Sequence, residues 1–104
     1  GFIERRQSSP NRPEPANADP VLNEIASETE WRGSTLRRLR ELRRYSLDDV
    51  ASLTKISKTY LIAIEEENFG KLPAPVFVRG FLLQFARTLK IPSEPLAQAY
   101  MARL

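Results

Sequence analysis

Three phenylalanines, Phe77, Phe81 and Phe85, recur at four-residue spacing in the most aromatic stretch of this chain. Two prolines at positions 73 and 75 precede them and predict that a helix begins near residue 75. Residues four apart lie on one side of a helix, but three rings carry more surface than one narrow stripe can bury. Aromatic rings left at a surface are frequent anchors for another protein. The chemistry that these residues offer is therefore binding.

Side chains that perform acid–base, nucleophilic or metal chemistry are scarce. The 104 residues include no histidine and no cysteine, which removes the commonest general base, the thiolate nucleophile and the commonest transition-metal ligands. Glu65, Glu66 and Glu67 are consecutive, but adjacent positions of a helix point in different directions, so we expect no shared metal site. We therefore expect no enzymatic activity, no catalytic residues, no cofactor and no metal.

The chain length and the distribution of charge indicate one small domain behind a tail. Residues 1–30 hold few apolar side chains and four of the eight prolines, which predicts a disordered polar linker with at most a short helical turn at residues 21–25. We expect the domain to span residues 31–104. Residues 1–31 carry three basic and six acidic side chains, whereas residues 32–104 carry 13 basic and 7 acidic ones. A basic domain suits an acidic partner, although an ordinary soluble surface explains the same balance equally well.

Neither a signal peptide nor a membrane span is predicted. The N-terminal region is polar and proline-rich, and the longest uncharged apolar run, residues 80–86, is far shorter than the roughly 20 residues that a spanning helix needs. We expect a cytoplasmic location and no membrane contact from this part of the chain.

Helical periodicity predicts five helices and no strand. The first covers residues 35–44 and the fourth residues 75–89, with the second, third and fifth beginning at three of the capping serines. The serines expected to cap the first, second, third and fifth helices are Ser34, Ser46, Ser57 and Ser93. Asp49 completes an approximate capping box with Ser46. The tight turn at residues 54–56 makes the second and third helices a helix-turn-helix.

The segments Leu36–Glu41, Ser46–Ala51 and Ile56–Glu65 resemble a Cro/CI-type, or lambda-repressor-like, helix-turn-helix. The continuation is more specific: V-F-V-R-G-F at residues 76–81 and F-A-R at residues 85–87 resemble the N-terminal cytoplasmic domain of the RodZ family of bacterial cell-shape proteins. The phrase Glu28–Gly33 is similar to one that precedes such domains in other bacterial multidomain proteins. The resemblance implies an all-α, five-helix Cro/CI domain preceded by a disordered tail. Tyr45 and Lys55 stand where such proteins favour glycine.

The resemblance also implies a protein partner. In the RodZ family this domain binds the actin-like filament protein MreB, largely through aromatic residues of the fourth helix. We therefore expect the predicted fourth helix to bind a bacterial protein, an actin-like filament or a polar or signalling protein, and a membrane-anchored parent is compatible with this. The expected contacts are Phe77, Arg79, Gly80, Phe81 and Gln84. By spacing alone, burial of Phe77 and Phe81 under the fifth helix is equally compatible with the pattern.

The alternative is a DNA-binding transcription factor that uses the second and third helices. Its candidate contacts are Arg37, Arg38, Lys58 and Thr59. The expected outward positions of the third helix also include Ile62 and Ala63, which cannot read base edges. The three glutamates at its end would repel phosphate. Nucleic acid is therefore the less favoured partner.

Overall fold

The computed structural model describes residues 19–104, and every regular element within that range is helical. Six α-helices follow one another: α1 Pro20–Ile25, α2 Gly33–Leu42, α3 Leu47–Thr54, α4 Lys58–Glu66, α5 Pro75–Leu89 and α6 Ser93–Met101. A 3-10 turn, Phe69–Lys71, lies between α4 and α5. The all-α Cro/CI-type fold is confirmed. Helices α2 to α6 correspond to the five expected ones, and α1 lies where at most a short helical turn was expected.

The described part of the chain begins to pack before the expected domain start at residue 31. The Asp19 side chain accepts the Val21 N–H at 2.9 Å and caps α1, and Val21 is fully buried in the core. Residues 20–25 therefore form a docked helix at the place where a short helical turn was expected, because an apolar side chain gives them a tertiary contact. The disorder expected for residues 1–18 lies outside the described residues.

The core is assembled from the inward faces of α2 to α6. In α5 the buried stripe consists of Val78, Leu82, Phe85 and Leu89, all fully buried, as their helical spacing predicts. Tyr100 of α6 is also fully buried and donates its hydroxyl to the Ile64 carbonyl at 2.7 Å. This hydrogen bond joins α6 to α4, two helices that are separated in sequence by α5.

Two of the four expected serine caps are present. Ser46 and Asp49 exchange capping-box hydrogen bonds of 3.0 and 2.8 Å, and Ser57 accepts the Thr59 N–H at 3.3 Å. Ser34 and Ser93 do not cap, because α2 begins at Gly33 and α6 at Ser93 itself. The predicted start of the first helix at residue 35 is thus two residues late.

The left-handed residues of the two tight turns lie at Arg44 and Lys55, with φ of 65° and 63°. Lys55 is the position where the resemblance places glycine, but in the turn before α3 the strain falls on Arg44 rather than on Tyr45. Each residue costs about 1 kcal/mol relative to glycine.

Candidate functional site

The N-terminal end of α5 exposes two large apolar side chains. Val76 is 73% exposed and Phe77 is 58% exposed. The helix starts at Pro75 after an Ala74 cap that makes no side-chain hydrogen bond, and the buried stripe of α5 begins only at Val78. The first turn of α5 therefore projects beyond the core that its later turns cover.

Phe81 lies one turn further along α5 and is half-buried. Its ring packs on Tyr60 of α4, with ring centroids 5.6 Å apart and planes at 30°. It is therefore supported from the α4 side and is not sealed inside the domain. We call Tyr60, Val76, Phe77 and Phe81 the aromatic edge. Tyr60 itself is half-buried, because its ring lies between α4 and the ring of Phe81.

Gly80 lies on the same helix face, between the two phenylalanines. Apart from Gly80 itself, its two neighbours in the chain and the adjacent backbone of α5, no atom of the described residues lies within 4 Å of the point where a Cβ on Gly80 would be. The fold itself therefore does not require glycine here, although glycine inside a helix costs about 1 kcal/mol relative to alanine. The missing side chain leaves the α5 backbone open to close approach.

The other two expected contacts of α5 do not lie together: Gln84 shares this face, whereas Arg79, two residues from both Phe77 and Phe81, lies on the α6 side of the helix. Arg79 donates from Nη2 to both carboxylate oxygens of Glu94 in α6, at 2.9 and 2.8 Å. Gln84 is exposed one turn beyond Gly80. Because the Arg79–Glu94 pair is solvent-exposed, it adds little stability. Arg79 therefore remains able to exchange Glu94 for an external acid.

The basic residues of the alternative DNA site already have acids beside them. Arg37 pairs with Glu41 at 3.3 Å, and Lys58 pairs with Asp48 at 3.1 Å. Arg38 pairs with a carboxylate of α1 at 2.9 Å. Thr59 is exposed at the start of α4. Because these pairs are solvent-exposed, as the Arg79–Glu94 pair is, a phosphate could replace the carboxylates, and the pairing by itself does not decide against nucleic acid.

Ala63 was expected to point outward from α4, and this is wrong, because the residue is only 2% exposed. Helix α4 packs against both α2 and α3, so a larger part of its circumference is buried than the sequence pattern implies. Ile62 is half-buried. Little of the helix remains to enter a DNA groove.

Glu65 and Arg40 form a buried ion pair inside the domain. Two hydrogen bonds join them, Nε to Oε2 at 2.7 Å and Nη2 to Oε1 at 3.1 Å. The hydrogen bond to Glu65 raises the pKa of the Arg40 guanidinium above its ordinary value. Arg40 therefore differs from its neighbours Arg37 and Arg38: it points inward and is not available to an external ligand.

Glu67 links the start of α2 to the residues that follow α6. Its Oε2 accepts the Gly33 N–H at 2.7 Å and an Arg103 N–H at 2.9 Å. Burial would raise the pKa of this carboxyl, but the hydrogen bonds from Gly33 and Arg103 outweigh burial and hold the pKa below its ordinary value. We call Gly33, Glu67 and Arg103 the Glu67 clasp. Glu65 and Glu67 thus point to different partners, and no three acidic side chains among residues 19–104 are grouped so that they could hold a metal ion.

The phrase Glu28–Gly33 has a structural explanation in this clasp. The Glu28 carboxylate accepts the N–H groups of Glu30 and Trp31, at 3.1 and 2.7 Å. These bonds hold Trp31, which is buried, in a left-handed conformation with φ of 51°. A methyl group on Gly33 would overlap the carbonyl oxygens of Ile64 and Glu65. Residues 28–33 therefore hold the start of α2 in close contact with the end of α4.

A family model described as a helix-turn-helix domain matches residues 35–96. The chain is 38% identical over 55 residues to the uncharacterized membrane protein YmfM of Bacillus subtilis, covering 53% of this chain and 19% of that protein. It is 32% identical over 68 residues to the cytoskeleton protein RodZ of Streptococcus pneumoniae, covering 65% of this chain and 25% of that protein. No solved structure matches the chain significantly.

The chain thus spans about a fifth to a quarter of the length of these relatives. Within the described range, no helix combines the length and the apolar character that crossing a membrane requires. Because the family model covers more than half of the chain, and the cytoskeleton protein is similar over nearly two thirds of it, the chain belongs to this helix-turn-helix family as a RodZ-like N-terminal domain.

Proposed function

We propose that this domain is a non-enzymatic docking module of a bacterial cytoskeletal or polar adaptor and that the aromatic edge binds its protein partner. The observation that carries the proposal is Phe77, a large ring that is 58% exposed at the start of α5. Exposed aromatic rings beside an open helix backbone are favoured at protein interfaces, where they contribute much of the binding free energy.

The aromatic edge is suited to binding because part of it is already ordered. Phe81 rests on Tyr60, so its ring loses little conformational freedom when a partner covers it. Gly80 allows the partner to approach the helix backbone between Phe77 and Phe81. Phe77 is the most exposed of these rings and is the expected anchor.

Basic side chains near α5 suit a partner with acidic groups. Lys71 is exposed in the turn before α5, and Arg79 lies on the α6 side of the helix with only an exposed ion pair to hold it. Cations of this kind mainly orient the partner and accelerate association. We infer that an actin-like filament protein such as MreB is the first candidate and that another polar or signalling protein is the second, with the domain on the cytoplasmic side of its parent.

Co-sedimentation with polymerised actin-like filament protein from the same cells tests the proposal. We expect Phe77→Ser to weaken co-sedimentation at least tenfold, a loss typical of a buried aromatic anchor. Leu53→Ser is the matched control, because Leu53 is 60% exposed but lies on α3. It should leave binding unchanged, and both variants should melt as the parent chain does.

Two results would contradict the proposal. In the first, the filament binds the parent chain and Phe77→Ser equally well. In the second, the parent chain binds duplex DNA at submicromolar concentration with a steep dependence on salt, and Arg37→Ala weakens that binding while Phe77→Ser does not.

A further inference from the structure

Helix α1 lies outside the residues that the family model matches, yet it packs onto the core that those residues form. The match begins at residue 35, whereas α1 covers Pro20–Ile25. Val21 is fully buried, and Leu22 beside it remains 38% exposed. The helix-turn-helix core therefore presents a depression for one aliphatic side chain, which this chain fills with its own upstream segment.

Two arginines of the α2 region flank this depression, and each pairs with a carboxylate at α1. Arg43 Nη1 lies 2.9 Å from Asp19 Oδ2, and Arg38 Nε lies 2.9 Å from Glu24 Oε2. Arg43 also donates from Nε to the Leu89 carbonyl at 2.8 Å, which ties this site to the end of α5. We call the face of α2 between Arg38 and Arg43, with the depression that holds Val21, the α1 seat.

The contacts of α1 are few compared with those of the other helices. It has six residues and one fully buried side chain. A helix this short does not persist in water without tertiary contacts. The Arg38–Glu24 pair is largely exposed, so it adds little to docking. Segments of this kind open at free energies well below that of global unfolding.

We propose that the α1 seat is a binding groove for an acidic amphipathic helix, that α1 occupies it in cis, and that a helix of the same chemistry from another protein binds there when α1 undocks. The occupant seen in the structure defines what fits: an aliphatic side chain with carboxylates two residues before it and three residues after it, as in Asp19, Val21 and Glu24. This site is separate from the aromatic edge and does not rest on the function proposed for it.

The charges of the seat determine which helices it accepts. When α1 leaves, Arg38 and Arg43 lose the only acidic partners that the described residues give them. The partly buried Arg43 binds a carboxylate strongly, whereas the exposed Arg38 mainly disfavours a cation in its place. A helix with lysines at these two places would be repelled. The tether keeps α1 at a high effective concentration, so an external helix binds weakly until α1 is loosened.

Hydrogen exchange on the whole chain tests the first half of the proposal. Under native conditions, with Trp31 fluorescence confirming that the core is folded, we expect the amides of α1 to exchange at least 100-fold faster than those of α4 and α5. Exchange of α1 at the same slow rate as these core helices would overturn the proposal, because α1 would then undock only when the domain unfolds.

A peptide of residues 17–29 of this chain tests the second half. We expect it to bind the Val21→Ser chain at least tenfold more tightly than the parent chain, because the serine loosens α1 and frees the seat. A peptide with lysine in place of Asp19 and Glu24 should not bind. Asp19→Asn provides a second loosened chain that retains Val21, in case Val21→Ser melts near the assay temperature.

Three outcomes would overturn the proposal of a binding groove. The first is that the peptide binds the loosened and parent chains with equal affinity, and the second is that the lysine-bearing peptide binds as well as the unchanged peptide. The third is that the peptide binds neither loosened chain although the α1 amides of both exchange rapidly. Preferential binding of duplex DNA by the loosened chains would assign Arg38 and Arg43 to phosphate instead.

Discussion

Gly33 and Gly80 both lie in helices, and the space where a side chain would be is filled at one and empty at the other. At Gly33 the backbone of α4 occupies it, with the carbonyl oxygens of Ile64 and Glu65 in the way of any Cβ. At Gly80 no atom outside its own helix backbone and its two chain neighbours lies within 4 Å of that point. The first glycine is explained by the packing of the domain on itself, whereas the described residues give no such explanation for the second.

The same contrast extends to the surroundings of the two glycines. Around Gly33 most polar groups are paired internally, through the Glu67 clasp and the Arg40–Glu65 pair, although Nε of Arg103 is buried without a partner among the described residues. Around Gly80 the neighbouring rings of Phe77 and Phe81 are left exposed or half-exposed. The corner at Gly33 is therefore where the domain holds itself together, and the face at Gly80 is where it can bind something else. Substitutions at the corner should change stability, and those on the face should change binding.

The largest effect is expected at the buried ion pair behind Gly33. Arg40→Ala leaves the Glu65 carboxylate buried without its partner and should lower the free energy of unfolding by about 3–5 kcal/mol. Urea denaturation followed by Trp31 fluorescence measures this. Arg79→Ala is the matched control on the face, where the exposed pair with Glu94 should contribute about 1 kcal/mol or less. Equal losses of unfolding free energy in the two variants would contradict the distinction between the corner at Gly33 and the face at Gly80.

Gly33→Ala should lower the free energy of unfolding by about 3 kcal/mol, because the new methyl group forces α2 away from the end of α4. The same denaturation experiment measures it, and hydrogen exchange should localise the loosening to residues 30–36 and the end of α4. A variant as stable as the parent chain would show that the corner is less tightly closed than the structure indicates.

Gly80→Ala should have the opposite sign. It should raise the free energy of unfolding by about 1 kcal/mol, since alanine favours the helix and nothing nearby obstructs its methyl group. If a partner approaches the backbone of α5 here, the same substitution should weaken filament co-sedimentation. If the variant is more stable and binds as well as the parent, Gly80 is not part of the binding surface. That result would not test the role of Phe77.

The smallest effect is a dependence on pH at the Glu67 clasp. Because the folded pKa of Glu67 lies below its ordinary value of 4.5, the carboxylate contributes stability above the unfolded pKa, and this is lost as pH falls through the folded pKa. Urea midpoints measured from pH 7 downward should therefore fall more steeply below about pH 4.5 in the parent chain than in Glu67→Gln. Parallel curves for the two chains would contradict this account.

Much of the architecture could be predicted because it depends on neighbours in sequence. The capping box of Ser46 with Asp49, the cap at Ser57 and the buried stripe of α5 are short-range patterns, and all are present. The site was predictable only in part. The exposure of Phe77 and the half-burial of Phe81 depend on where α4 and α6 lie, and the spacing of the rings was compatible with burial as well. The role of these residues in binding stays a prediction.

By itself the sequence determined that the described chain folds into helices, where most of them begin, which face of α5 enters the core, and the family to which the domain belongs. The tertiary structure alone decided that Arg40 and Ala63 point inward, that α1 docks through Val21, and that Gly33 is closed off while Gly80 stays open. Helical periodicity and capping act over a few residues and are visible in one segment. Burial and charge pairing depend on which distant segment lies opposite, and that is established only when the helices pack.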